Sequence, residues 1–135
     1  MAVPLSRSFE AALLRSAVLW VAALVLANVI LPPGPLLLRV CALFSLSMNV
    51  PYSSAAVHTG RGVASEMAAA GVMSLLALYA LATASLPALV ASVVLHGVWD
   101  MAKHGLACGV PFFSWYLSSC LLFDLAWAFY MYLFL

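Results

Sequence analysis

The chain has 135 residues, of which 67% are hydrophobic and 7% charged, with a formal net charge of +1. Soluble domains are typically about 45–50% apolar and about 25% charged, and a small globule must leave much of its surface in water. The composition therefore excludes an ordinary water-soluble domain, and the near-neutral charge gives no basis for binding nucleic acid.

A spanning helix needs roughly 20 mostly apolar residues, and several such stretches follow one another here. The first covers about residues 11–31, with Arg15 at its entrance and Asn28 near its exit. Arg7 and Arg15 ahead of an apolar run resemble a secretory signal. The run ends at Leu31-Pro32-Pro33-Gly34 without a small-x-small cleavage site, so a retained first helix is expected. Proline cannot continue a helix and restricts the residue before it, which makes residues 32–35 a turn. The second segment, about 36–57, begins near Arg39 and is interrupted at Asn49-Val50-Pro51, where a kink or break is expected. Thr59-Gly60-Arg61-Gly62 punctuates the chain again. A third segment spans about 63–83 with Glu66 near its start. Its small residues, Ala64, Ala68, Ala69, Ala70 and Gly71, favour close helix packing.

Ser85-Leu86-Pro87 is a short turn, followed by a fourth segment over about 88–104. Residues 105–111 form a loop with two glycines, and a fifth segment, about 112–135, closes the chain in aromatics. The expected fold class is all-α: one integral membrane domain, residues 1–135, with five transmembrane helices. Only four are true spans if segments two and three form an irregular hairpin. Arg7, Arg15, Arg61 and Lys103 fall on the N-terminal side and Arg39 alone on the other, so a cytoplasmic N-terminus is expected. The location implied is the cell (inner) membrane, crossed several times. Cys41, Cys108 and Cys120 form no C-x-x-C pair and read as small apolar residues.

The ionisable residues are unevenly placed. His58, Arg61 and Glu66 lie at one end of segments two and three; Asp100, Lys103 and His104 lie at the same end of segment four. His96 and Asp124 sit deeper. A charged Asp at a helix centre costs about 2.5–3.5 kcal/mol even on the lower scale, and such residues face the bundle interior or a cavity. His96, Asp100 and His104 follow each other at i, i+4 and i+8, so they share one helical face. His96 and His104 are about 12 Å apart along the axis, too far to share one ion, unlike the two histidines of H-E-x-x-H. A metal here needs Asp100 with one histidine and further ligands from Glu66, His58 or Asp124. The set adopted is Asp100, His104 and Glu66, with zinc or iron as the ion. The wider candidate catalytic cluster is His96, Asp100, His104, Asp124 and Glu66. Asp124, flanked by Phe123 and Leu125, has no local partner and must meet a group from another helix or be protonated.

Structural roles fit the same residues. A histidine and an aspartate can fix packing through bonds across helices, Glu66 and Arg61 suit an interfacial ion pair, and Trp99, Trp115 and Tyr116 suit packing or interface anchors. Cys120, four residues before Asp124, shares its face but has no base to make it a nucleophile.

The pattern His96-x-x-Trp99-Asp100-x-x-x-His104, followed by Cys120-x-x-x-Asp124, resembles an uncharacterised family of small bacterial multipass membrane proteins. Tyr52-Ser53-Ser54 and Gly60-x-Gly62-x-x-x-Glu66 occupy the place of that family's Gly/Ser/Tyr-rich stretch and glutamate. The resemblance covers roughly residues 36–128. The family often has a second histidine beside the one matching His104, where this sequence has Lys103. The resemblance implies a shared polar cluster and no particular reaction.

Three functions follow as expectations. One is a structural or assembly subunit whose polar groups lock the fold. Another is an intramembrane enzyme on a lipid or isoprenoid-like substrate, with the cluster supplying acid–base groups or metal ligands. The third is a small oligomeric proton-coupled transporter that uses the broken helices near Pro51 and Gly60. The expected partners are membrane lipid and a second copy or another membrane protein.

Overall fold

The computed structural model describes residues 6–106 and 108–135. These residues form six helices and no strand: α1 (Arg7–Ile30), α2 (Pro35–Met48), α3 (Val50–Thr59), α4 (Val63–Thr83), α5 (Leu86–Leu106) and α6 (Ser114–Phe134). The break between α2 and α3 falls at Asn49, and Pro51 sits in the first turn of α3, where its missing N–H costs nothing. Asn49 keeps an αR backbone and its carbonyl accepts from the Ser53 N–H, so α2 and α3 continue as one bent 25-residue rod. Together with α1, α4 and α6, this rod makes four helical stretches long and apolar enough to cross a membrane. The fifth rod, α5, has 21 residues and carries the buried polar residues Ser92, His96, Asp100 and Lys103.

The boundaries differ modestly from those expected. The chain is helical through Leu106, so the loop after α5 is shorter than 105–111, and Ala107 lies outside the described residues. Serine and glycine set several ends. The Ser6 side chain accepts from the Phe9 N–H at the start of α1. Gly60 closes α3 at φ +67, and Gly62 opens α4 at φ +62, both in the left-handed region that favours glycine.

Five rods run alternately up and down, so the two termini lie at opposite ends. At the end holding the N-terminus, Phe9 packs edge-on against Phe112 and the Trp115 indole donates to Glu10 at 2.8 Å. At the other end lies the main apolar core, built from Leu24, Leu37, Cys41, Leu89, Val93 and Met131. Trp20 of α1 wedges into it edge-on against Phe44, Phe123 and Trp127.

The burial pattern is inverted relative to a water-soluble protein. Val18, Leu19, Val29, Leu75, Leu122 and Phe129 are exposed, whereas Glu66, His96, Asp100, Lys103 and Asp124 are buried. A surface of exposed Leu, Val and Phe around a polar interior suits a hydrocarbon surrounding.

A candidate ion site in the polar half of the bundle

Moving from the apolar core toward the N-terminal end, the interior becomes polar in steps. The first step joins α2, α4 and α5. Ser92 donates to the Met73 carbonyl at 2.9 Å and lies 2.9 Å from Ser45. Since Ser92 has one hydroxyl proton and spends it on Met73, Ser45 is the donor of the pair. Asn49, at the bend, donates to Ser74 at 3.1 Å.

The next step brings α5 and α6 together. Gly97 allows their close approach: a Cβ there would stand 3.4 Å from the Asp124 Cβ and 3.4 Å from the Leu121 side chain. Asp124, with no exposed surface, is thereby set beside His96 and Asp100. One ligand atom from each of His96, Asp100 and Asp124 falls within 4.8 Å of the others. All four oxygens of Asp100 and Asp124 are buried without a hydrogen-bond donor. Buried acceptors are almost always paired; Asn49 Oδ1 and the Tyr52 hydroxyl also go without a partner, but among the described residues these are the two carboxylates left with no donor on either oxygen.

The last step is an ionic layer. Lys103 lies 3.6 Å from Asp100 Oδ1 on its own helix and 3.5 Å from Glu66 Oε1 on α4. Its Nζ sits over the Tyr52 ring, 2.9 Å from the centroid, an arrangement stabilised by the ring quadrupole. Tyr52 in turn stacks obliquely on His96, with centroids 5.7 Å apart. Glu66 is held firmly. Its Oε1 accepts from the Val110 N–H and its Oε2 from the Trp99 indole, both at 2.9 Å. The Val110 bond requires the loop after α5 to lie against the start of α4, and glycines permit it. A Cβ on Gly62 would fall 2.6 Å from the Gly109 carbonyl oxygen, and one on Gly109 would fall 2.5 Å from Glu66 Oε1.

The geometry sorts the sequence candidates. It brings His96, Asp100 and Asp124 together and places Glu66 one layer away, bound to Lys103, Trp99 and Val110. His104 and His58 are exposed and stand outside the buried group. The set that converges is therefore His96, Asp100 and Asp124, where the sequence reading adopted Asp100, His104 and Glu66. The reason is helical phase: at i+8 His104 has drifted about 80° around the helix from His96, so it is exposed while His96 and Asp100 are buried. Arg61 is exposed, and the ion-pair partner of Glu66 is Lys103. Trp99 proves to be a hydrogen-bond donor to the site. Lys103 and Tyr52 lie inside the cluster; the signal for Lys103 was its place one turn after Asp100.

Chemically the three residues offer one imidazole nitrogen and two carboxylates, a donor set that suits zinc or ferrous iron. Tetrahedral ligands about 2.0–2.2 Å from such an ion lie roughly 3.3–3.6 Å from one another, so a group confined to 4.8 Å needs to draw in by about an ångström to hold one. Asp100 and Asp124 have free oxygens for the purpose, which is the observation that makes the fit. Nearby, an apolar groove of about 470 Å³ opens on the outer face between α4 and α5, walled by Ala68, Ala69, Val72, Leu95, Val98 and Trp99. Comparison with family models, with curated proteins and with solved structures gives no match to the chain.

Proposed function

We propose that this chain is an integral multipass protein of the cell membrane, N-terminus inside, that holds one divalent metal ion, zinc or iron, on His96, Asp100 and Asp124. The observation that carries the reading is a pair of buried carboxylates beside an imidazole, with no hydrogen-bond donor on any of the four oxygens and only Asp100 Oδ1 facing an ammonium. A cluster serving only to lock helices together would have its acceptors paired with donors across the interface, as Ser45 and Ser92 do. Charge balance supports the same conclusion. Metal ligation requires ionised carboxylates and a neutral imidazole. Glu66 and Lys103 neutralise each other, and Asp100 with Asp124 then match a doubly charged cation.

Three protein ligands leave coordination positions open, the arrangement of catalytic rather than structural sites. A bound ion would supply Lewis acidity or an activated water. The protein's own contribution is to hold Asp124 against Gly97, to fix Glu66 through Val110 and Trp99, and to keep bulk water out. The groove between α4 and α5, which shares Trp99 with the ionic layer, favours a lipid-like substrate. The reaction class is thus a metal-dependent conversion of a membrane-borne molecule. The resemblance expected from the sequence runs through His96, Trp99, Asp100, His104 and Asp124, and so includes the three proposed ligands.

Elemental analysis after loading with Zn²⁺ or Fe²⁺ tests the reading. Wild-type protein in detergent should retain one ion per chain, and Asp100→Asn and Asp124→Asn should retain none. A wild type that returns from loading and desalting without metal overturns it.

A further inference from the structure

The metal-binding reading leaves Lys103 unexplained, because a fixed ammonium beside a cation site opposes binding. Its surroundings show what it does. Its Nζ is buried and has no hydrogen-bond partner. It is held by charge and by a ring face, with Asp100 at 3.6 Å, Glu66 at 3.5 Å and the Tyr52 ring at 2.9 Å. Glu66 cannot follow it, being tied to Val110 and Trp99. Lys103 is therefore poised between one carboxylate that is fixed and another that is free to bind an ion.

We infer that Lys103 is a built-in counter-cation that sets the charge accepted by the His96–Asp100–Asp124 site, selecting a divalent over a monovalent ion. The inference rests on the proposed metal site and names how that site discriminates. Glu66, Asp100 and Asp124 with Lys103 carry a formal charge of −2 when all are ionised. A divalent ion brings this interior to neutrality. A sodium or potassium ion leaves one uncompensated negative charge away from water, which is costly. Without the lysine the interior carries −3, one charge more than a divalent ion offsets, and a monovalent ion can take the vacated place beside Asp100 and Glu66 and oppose the divalent ion from there. The ammonium lowers divalent affinity through repulsion and gains charge selectivity in exchange. As the ion binds, Lys103 moves off Asp100 toward Glu66 and the Tyr52 ring.

The test compares wild type with Lys103→Gln in lipid nanodiscs, titrating Zn²⁺ against a chromophoric chelator. Each titration is repeated with Na⁺ replaced by N-methylglucamine at fixed ionic strength. Removing a like charge a few ångströms from the ion should tighten Zn²⁺ binding about tenfold or more. Na⁺ should weaken Zn²⁺ binding in the variant and leave wild type unaffected. Equal or weaker Zn²⁺ binding by a variant with native circular dichroism overturns the role of Lys103 while the metal site stands. No Zn²⁺ binding by either protein overturns the metal site and this inference with it. If the variant does not fold, wild type decides alone: indifference to Na⁺ supports the inference, and displacement of Zn²⁺ by Na⁺ overturns it.

Discussion

Replacing Asp124 with Asn keeps the side chain's shape, which the contact with Gly97 demands, and removes its charge. Asp124 has no exposed surface and neither oxygen meets a donor. Holding a charged aspartate at a helix centre costs about 2.5–3.5 kcal/mol, so a neutral amide of the same shape, with no ion bound, ranges from neutral to stabilising by at most that amount. In the presence of a chelator, Asp124→Asn should therefore unfold at the same temperature as wild type or a few degrees higher. Zinc at about one hundred times its Kd should then raise wild type by about 2.7 kcal/mol. The variant, lacking one ligand of the three, should gain little, so the order of the two proteins reverses. Thermal unfolding in one detergent, followed by circular dichroism with chelator and then with zinc, reads both halves. A variant that melts several degrees below wild type in chelator would show that Asp124 locks the packing. Equal gains on adding zinc would show that the ion sits elsewhere.

Three further outcomes are expected. Gly62→Ala combines a left-handed backbone with a collision against Gly109 and Val110, whereas Gly60→Ala has open space and only the backbone penalty, about 1–2 kcal/mol. The first should lose at least about 1 kcal/mol more than the second in denaturant unfolding, and equal losses would mean that the loop does not press on α4. Glu66→Gln leaves Lys103 without its fixed anion and should cost about 3–5 kcal/mol; adding Lys103→Gln should restore a good part of that loss, and strict additivity in the double-mutant cycle would refute the pairing. Ser92→Ala removes the donor to Met73 and the acceptor of Ser45, so it should cost about 1–3 kcal/mol; loss of less than Ser45→Ala costs would contradict the assigned donor order.

Much of the fold was legible because the bilayer constraint is severe. Apolar stretches near 20 residues, ended by Pro32-Pro33, Thr59-Gly60 and Ser85-Leu86-Pro87, located every rod to within a few residues. The interruption expected at Asn49-Val50-Pro51 is found there, with the break at Asn49 and Pro51 in the first turn of α3. The site was legible only along single helices. The i, i+4 spacing of His96 and Asp100 and the isolation of Asp124 put the three residues that converge inside the wider five-residue cluster, although the metal set adopted was Asp100, His104 and Glu66. Periodicity along α5 says nothing about which face meets α4 or α6, so the sequence left His104 and Asp100 equivalent. It also offered Arg61 to Glu66, because nearness in the chain was the only distance available. The Val110 N–H was beyond sequence reasoning altogether: its role depends on two glycines 47 positions apart allowing one backbone to touch another.

The ion pairs also bear on how such a chain would be made. Asp100 and Lys103 stand one turn apart on α5, and Lys103 reaches Glu66 across the α4–α5 hairpin. The lysine therefore enters the bilayer alongside acidic groups that can offset it, within a unit of two helices emerging consecutively from the ribosome. Asp124 arrives afterwards on α6 with no lysine or arginine of its own helix to accompany it. In a bilayer, insertion of α6 is then the step that carries a carboxylate inward with no cation on its own helix, and its burial must await the neighbouring helices.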